Sequence, residues 1–231
     1  MDALRREFDA AWARFKTVDA LRLVPDTLES EWPRGRDTYL AFLTPVDDPA
    51  VVGYLRGVAR VIERIPGVEP YPEDYWHITV KGIGFEARTA AQPEDVSASQ
   101  VAGVAVAARD VFAGQPAFET QIGLVSAFPQ VVFAEVWGSA AVRDLNVRLI
   151  EAMPGIVRYP FDGGNFLPHI SIARFTSNDG LAQLKEIISG LRNGPAGPAF
   201  TVREVHLIRA RLSERTPSFE TIEKYPLTAD G

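Results

Sequence analysis

Apolar residues along this chain follow two repeats, one near 3.6 residues and one of 2, and the switches between them mark out the elements. Leu4, Phe8, Ala11, Trp12 and Phe15 recur at helical spacing, which predicts an amphipathic helix within an N-terminal extension, residues 1–20, lying on a larger body and outside the site. Thr38 to Thr44, closed by Pro45, reads as a buried strand. Val51, Leu55, Val58 and Ile62 then stripe a helix that ends before Pro66-Gly67. A strand from Tyr75 to Ile83 follows, and residues 94–113 return to helical spacing through Val101, Ala105, Ala108 and Phe112. Phe118 to Val125 and Val131 to Trp137 form a candidate hairpin around Phe128-Pro129.

The second half repeats this order of parts. Val142, Leu145, Leu149 and Met153 share a helix face, a strand runs from Phe166 to Phe175, and Leu181, Leu184, Ile188 and Leu191 stripe another helix. After the break Gly194-Pro-Ala-Gly-Pro198, strands from Phe200 to Leu212 and from Phe219 to Tyr225 face each other across a turn near Thr216-Pro217. No low-complexity linker intervenes. The expected architecture is α+β, one domain over residues 36–227 built of two pseudo-symmetric lobes. Their antiparallel sheets face a central cleft and the helices lie outside.

Composition narrows the chemistry. A hydrophobic content of 46% is ordinary for a globular protein with a core. The chain has no cysteine, which excludes disulfides, a thiol nucleophile and thiolate metal sites, and suits a reducing cytoplasm. The start, Met1 to Phe8, opens with charges, and no apolar run approaches the roughly 20 residues that span a bilayer. A soluble, unexported protein with no membrane partner, acting as a monomer, is expected. The net charge of −6 argues against a broad grip on long nucleic acid. A small or terminal phosphate can still bind where a concave site gathers local donors.

Of three histidines, two are followed at the second position by a hydroxyl residue inside an apolar strand: Trp76-His77-Ile78-Thr79-Val80 and Pro168-His169-Ile170-Ser171-Ile172. One such pair is weak, but two with matching apolar partners are far less common by chance. Alternation along a strand puts His77 and Thr79 on one face and Trp76, Ile78 and Val80 on the other; His169 and Ser171 divide from Ile170 and Ile172 in the same way. Each strand thus presents an imidazole and a hydroxyl about 7 Å apart. Two such strands meeting about a twofold axis suit phosphodiester cleavage at a ribose. One neutral imidazole takes a proton from the nucleophile, the protonated one gives a proton to the leaving oxygen, and the hydroxyls hold the phosphate oxygens.

These residues resemble the two-histidine phosphoesterases, and within them the 2′,5′ RNA ligase-like and RNA 2′,3′-cyclic phosphodiesterase family. His77-Ile-Thr-Val-Lys81-Gly-Ile-Gly84 is similar to the first family motif, His-x-Thr-Leu-Lys-Phe-Leu-Gly, and Pro168-His-Ile-Ser-Ile-Ala-Arg174 to the second, Pro-His-x-Thr-Leu-Ala-Arg. Thr38 to Val46 resembles the opening strand, and Phe128-Pro129 the central hairpin, so the likeness covers roughly residues 36 to 213. It implies a bilobal fold, no metal or cofactor, and hydrolysis or its reversal at a 2′,3′-cyclic phosphate or a 2′,5′ linkage. The implied partner is an RNA 3′ end or a small nucleotide, with His77, Thr79, His169 and Ser171 as the catalytic set. Gly82 departs from the motif's bulky aromatic, and Ser171 from its threonine.

Lys81 shares the His77 face under strict alternation and could reach a phosphate; an exposed strand-end lysine is the alternative. Arg174 matches the motif, yet alternation sets it opposite His169 unless the strand ends or bulges there. Tyr39, Phe42, Tyr75, Phe128 and Phe166 could stack a base or fill core, and Phe128 leads because its turn resembles the family. His206 lacks a hydroxyl partner. Neither a metal-ligand spacing nor a P-loop is present. A non-catalytic module holding RNA ends or a signalling nucleotide is the competing class; an ATP-dependent ligase lacks its nucleophile and nucleotide loop.

Overall fold

Local signals set the helix starts. Asp48 accepts hydrogen bonds from the backbone N–H groups of Ala50 and Val51 and Pro49 opens the first turn, so helix α2 (Pro49–Ile62) begins there. Ser97 and Gln100 form a reciprocal capping box at the head of α3 (Ala98–Phe112). The computed structural model describes residues 3–23, 33–138, 140–212 and 215–228. The other helices among them are α1 (Ala3–Lys16), α4 (Ala140–Ala152) and α5 (Leu181–Arg192). The strands are β1 (Thr38–Pro45), β2 (Val68–Pro70), β3 (His77–Glu86), β4 (Asp95–Val96), β5 (Phe118–Phe128), β6 (Val131–Trp137), β7 (His169–Phe175), β8 (Ala199–Val202), β9 (Glu204–Arg211) and β10 (Ser218–Pro226).

The strands join in one curled sheet with the order β10-β9-β1-β3-β7-β6-β5-β8. That order is symmetric about its middle: β3 and β7 meet through Ile78 and Ile170, β3 pairs outward with β1, and β7 pairs outward with β6. Beyond their crossing the two strands diverge, and the gaps are filled by β4 beside β3 and β2 beside β7. One face of the sheet carries Ile78, Val80, Ile170 and Ile172 into a continuous hydrophobic core with Val51, Leu55 and Val58 of α2, Val101 and Ala108 of α3, Leu145 and Leu149 of α4, and Leu184 and Ile188 of α5. The histidines lie on the opposite, concave face. α+β architecture with two lobes about a cleft is therefore what the chain adopts, with the lobes fused through the β3–β7 contact.

Three expectations need correction. The apolar run Phe200 to Leu212 is two strands that separate at Arg203, β8 pairing with β5 in one lobe and β9 with β1 in the other. Tyr75 and Phe166 precede their strands: Tyr75 is the last residue of the short 3-10 turn Glu73–Tyr75, and Phe166 follows the turn Gly163–Asn165. Helix α1 is not remote from the site: Leu4 and Phe8 pack on the concave face against Val131 and Phe133. Met1 and Asp2 of the extension, and residues 213 and 214 beside the expected turn at 216–217, lie outside the described residues.

Candidate active site

The crossing of β3 and β7 aligns the two motifs position for position. Antiparallel register through Ile78 and Ile170 sets His77 across from Ser171 and Thr79 across from His169. After each hydroxyl the strand carries one extra residue relative to its partner. On β3, Leu43 pairs with Thr79 but Phe42 with Lys81, so Val80 is the extra residue. On β7, Phe133 pairs with Ser171 but Val132 with Ala173, so Ile172 is the extra residue. A bulge of this kind reverses which later residues face the cleft.

That reversal corrects two candidate binding residues. Lys81 turns away from the cleft into the protein, where it is 2% exposed. Its ammonium donates to the carbonyls of Gly82 (2.6 Å) and Val157 (2.9 Å) and to the Asp162 carboxylate (2.8 Å), so all three donors are used inside the fold. Arg174 turns the other way, onto the His169 face, but at 3% exposure it pairs with Glu69 (3.1 Å) and donates to the Arg215 carbonyl (3.0 Å). Neither residue lines the cavity beside the histidines. Gly82 does line it. A side chain there would collide with the Tyr39 hydroxyl, 2.4 Å from an added Cβ, and that hydroxyl bonds to the Tyr159 hydroxyl at 3.0 Å. The space the family motif gives to an aromatic at this position is taken here by tyrosines from β1 and the loop before β7.

Each imidazole is fixed in the same way. His77 Nδ1 lies 2.6 Å from the Tyr75 carbonyl, and His169 Nδ1 2.7 Å from the Leu167 carbonyl. A carbonyl only accepts, so Nδ1 carries the proton and the lone pair of the neutral ring is on Nε2. Aromatic rings hold both imidazoles edge to face: Tyr75 and Phe219 at 5.2 and 5.0 Å from His77, Phe128 and Phe133 at 5.4 and 5.1 Å from His169. Burial among these rings lowers the pKa of both histidines, His77 to about 4, against the backbone bond that favours the charged form. The nearby His169 lowers His77 further.

The histidines share a cavity of about 520 Å3 with Thr79, Tyr39, Tyr75, Phe128, Gln130 and Phe166. Phe42 is in the core instead, against Phe112 and Tyr225. Ser171 shares the His169 face but is not part of this lining. His206 is not part of this lining; it pairs with Leu43 across β1 and β9, and its Nε2 lies 2.6 Å from Glu204. Phe161, Phe133 and Phe219, which the sequence did not single out, reach the site from a loop, β6 and β10, and nothing local to their sequence marks them. The cleft is also asymmetric. In the first lobe Ala41, Leu43, Ile208 and Ala210 line open cavity, whereas in the second the matching face, Val131 and Phe133, is partly covered by Leu4 and Phe8 of α1. Among the described residues no group of three or more histidine, aspartate or glutamate side chains converges as a metal-binding set, and no helix is long and apolar enough to cross a membrane.

A curled sheet whose two central strands present paired His-x-Ser/Thr motifs about a pseudo-twofold axis defines a two-histidine phosphoesterase fold. The family described as the 2′-5′ RNA ligase superfamily matches residues 55–214, and the chain belongs to that superfamily. Solved structures share the fold at low identity. TT0787 of Thermus thermophilus has a TM-score of 0.62 and 17% identity, covering 84% of this chain and 100% of its own. LigT of E. coli, complexed with 3′-AMP, has a TM-score of 0.61 and 17% identity, covering 83% and 99%. ATU0111 of Agrobacterium tumefaciens, described as a conserved protein of unknown function, has a TM-score of 0.55 and 16% identity, covering 82% and 86%. No curated protein sequence matches the chain.

Proposed function

We infer that this protein is a metal-independent phosphodiesterase that opens 2′,3′-cyclic phosphates, with 2′,5′ linkages as a variant on the same site. The observation that carries this reading is the matched pair of imidazoles, each with Nδ1–H committed to a carbonyl and Nε2 available to the cavity they share. One Nε2 takes a proton from water as it attacks phosphorus. The other, protonated, gives its proton to the departing ribose oxygen, so the ring opens to a phosphomonoester and a free hydroxyl. Thr79, in the cavity lining, is the first donor for the non-bridging oxygens, where negative charge gathers, and Ser171, on the His169 face just outside that lining, is the second. A nucleoside 3′-phosphate is one product of such opening, and LigT is complexed with 3′-AMP. Turnover of nucleoside 2′,3′-cyclic phosphates should persist in EDTA, followed by phosphorus NMR. Loss on chelation would replace this mechanism with a metal-dependent one, and tight binding without turnover would make the protein a binding module.

The lowered pKa values set the pH dependence. In the free enzyme both rings are neutral at pH 7, whereas the reaction needs one of them charged. The profile of kcat/KM reports the free enzyme, so with both rings lowered it should peak below pH 6.5 and fall as pH rises further, because the ring that serves as acid then loses its proton. A bound phosphate anion favours imidazolium, so the profile of kcat should peak at higher pH than that of kcat/KM. Coincident optima above pH 7 would remove the paired-imidazole assignment.

A further inference from the structure

Among the described residues the cavity lining contains histidines and hydroxyls but no charged side chain. All 24 lysines and arginines fall among the described residues, and none of them lines it. A cyclic phosphodiester brings one negative charge, which an imidazolium and hydroxyl donors can balance. Each further phosphate of a chain would bring another charge that no lysine or arginine of this lining meets, in a protein whose net charge is −6. The walls offer something else. Phe161 is 54% exposed, a large apolar side chain left in solvent at the cavity. One face of its ring stacks on Tyr159, with centroids 5.2 Å apart and planes within 3° of parallel; the ring is left accessible to a ligand.

The support under that ring is rigid. The Tyr159 hydroxyl bonds to Tyr39 at 3.0 Å, and its backbone N–H donates to the Asp162 carboxylate at 2.8 Å. Asp162 is in turn tied to Lys81 and accepts from Asn146 (3.2 Å). Stacking a flat ring on such a surface costs little ordering entropy, and base–aromatic stacking is strong enough to select a ligand. Meanwhile α1 covers part of the second lobe's concave face, so the open space lies on the first-lobe side with Phe161.

Resting on the phosphodiesterase reading above, we propose that the site takes a single nucleotide, with its phosphate at the histidines and its base on the Phe161–Tyr159 stack. The test compares three substrates: adenosine 2′,3′-cyclic phosphate, methyl riboside 2′,3′-cyclic phosphate without a base, and an octaribonucleotide ending in a 2′,3′-cyclic phosphate. The wild-type enzyme should prefer the nucleotide to each of the others by about tenfold or more in kcat/KM. In Phe161→Ala the preference for nucleotide over methyl riboside should fall about tenfold, and Phe161→Trp should keep it. An octanucleotide handled as well as the nucleotide, or an equal loss on base-bearing and base-free substrates in Phe161→Ala, would overturn the proposal. If the wild-type enzyme opens none of the three, the phosphodiesterase reading itself fails, a different result from opening all three alike.

Discussion

His77→Ala and His169→Ala should each lower kcat for a 2′,3′-cyclic phosphate by about 100- to 10,000-fold, the range that positioned proton transfer contributes. The double variant should be little worse than the poorer single one, because an acid and a base that act in one proton-transfer sequence fail together. The alternative is that both rings are structural, since each is wedged between two aromatic side chains. Truncation would then leave a void and lower the melting temperature while turnover of the remaining folded enzyme persisted. Calorimetry beside steady-state kinetics separates the cases. A kcat loss at temperatures where the variant is fully folded supports catalysis, and retained kcat with a lowered Tm rejects it.

Why the two histidines were legible and their neighbours were not follows from the strands. His77 with Thr79 and His169 with Ser171 lie before the bulges, where side chains still alternate with a period of two and spacing alone gives the face. Lys81 and Arg174 lie after them, and each ended on the face opposite to the one that alternation assigns. No residue type announces the bulge: it occurs before Lys81-Gly82 on β3 and before Ala173-Arg174 on β7, with valine in one case and isoleucine in the other as the extra residue. The cause is tertiary, two strands that cross once and then diverge. The same holds for the run from Phe200 to Leu212, which lacks glycine or proline and is divided only because its halves complete different lobes. The helices were more accessible, since α2 and α3 carry their caps in the adjoining sequence. Helix α1 was readable as amphipathic, but the surface awaiting its apolar face was not.

The second large effect falls on Lys81, and here stability rather than catalysis should respond. Its pair with Asp162 is buried, with side-chain exposures of 3% and 0%. Asp162 also accepts from the Tyr159 N–H at 2.8 Å and from Asn146 at 3.2 Å, so neither charge has water to fall back on. Burial lowers the lysine's pKa and the carboxylate opposes that shift. Replacing Lys81 with methionine keeps most of the apolar stem but strands the carboxylate, and breaking a buried pair from one side costs about 3–5 kcal/mol. For a protein of this size that is a fall in Tm of about 6–20 °C. Lys81→Met with Asp162→Leu removes both charges and should recover part of the loss, because the uncompensated charge, not the missing bond, is the larger penalty. A lysine reaching a bound phosphate would behave in the opposite way: Lys81→Met would raise KM with Tm unchanged, and the second substitution would restore nothing. Melting curves of the single and double variants therefore decide whether this motif lysine holds the fold or the ligand. If it holds the fold, it acts on specificity only indirectly, by fixing the loop that carries Tyr159 and Phe161.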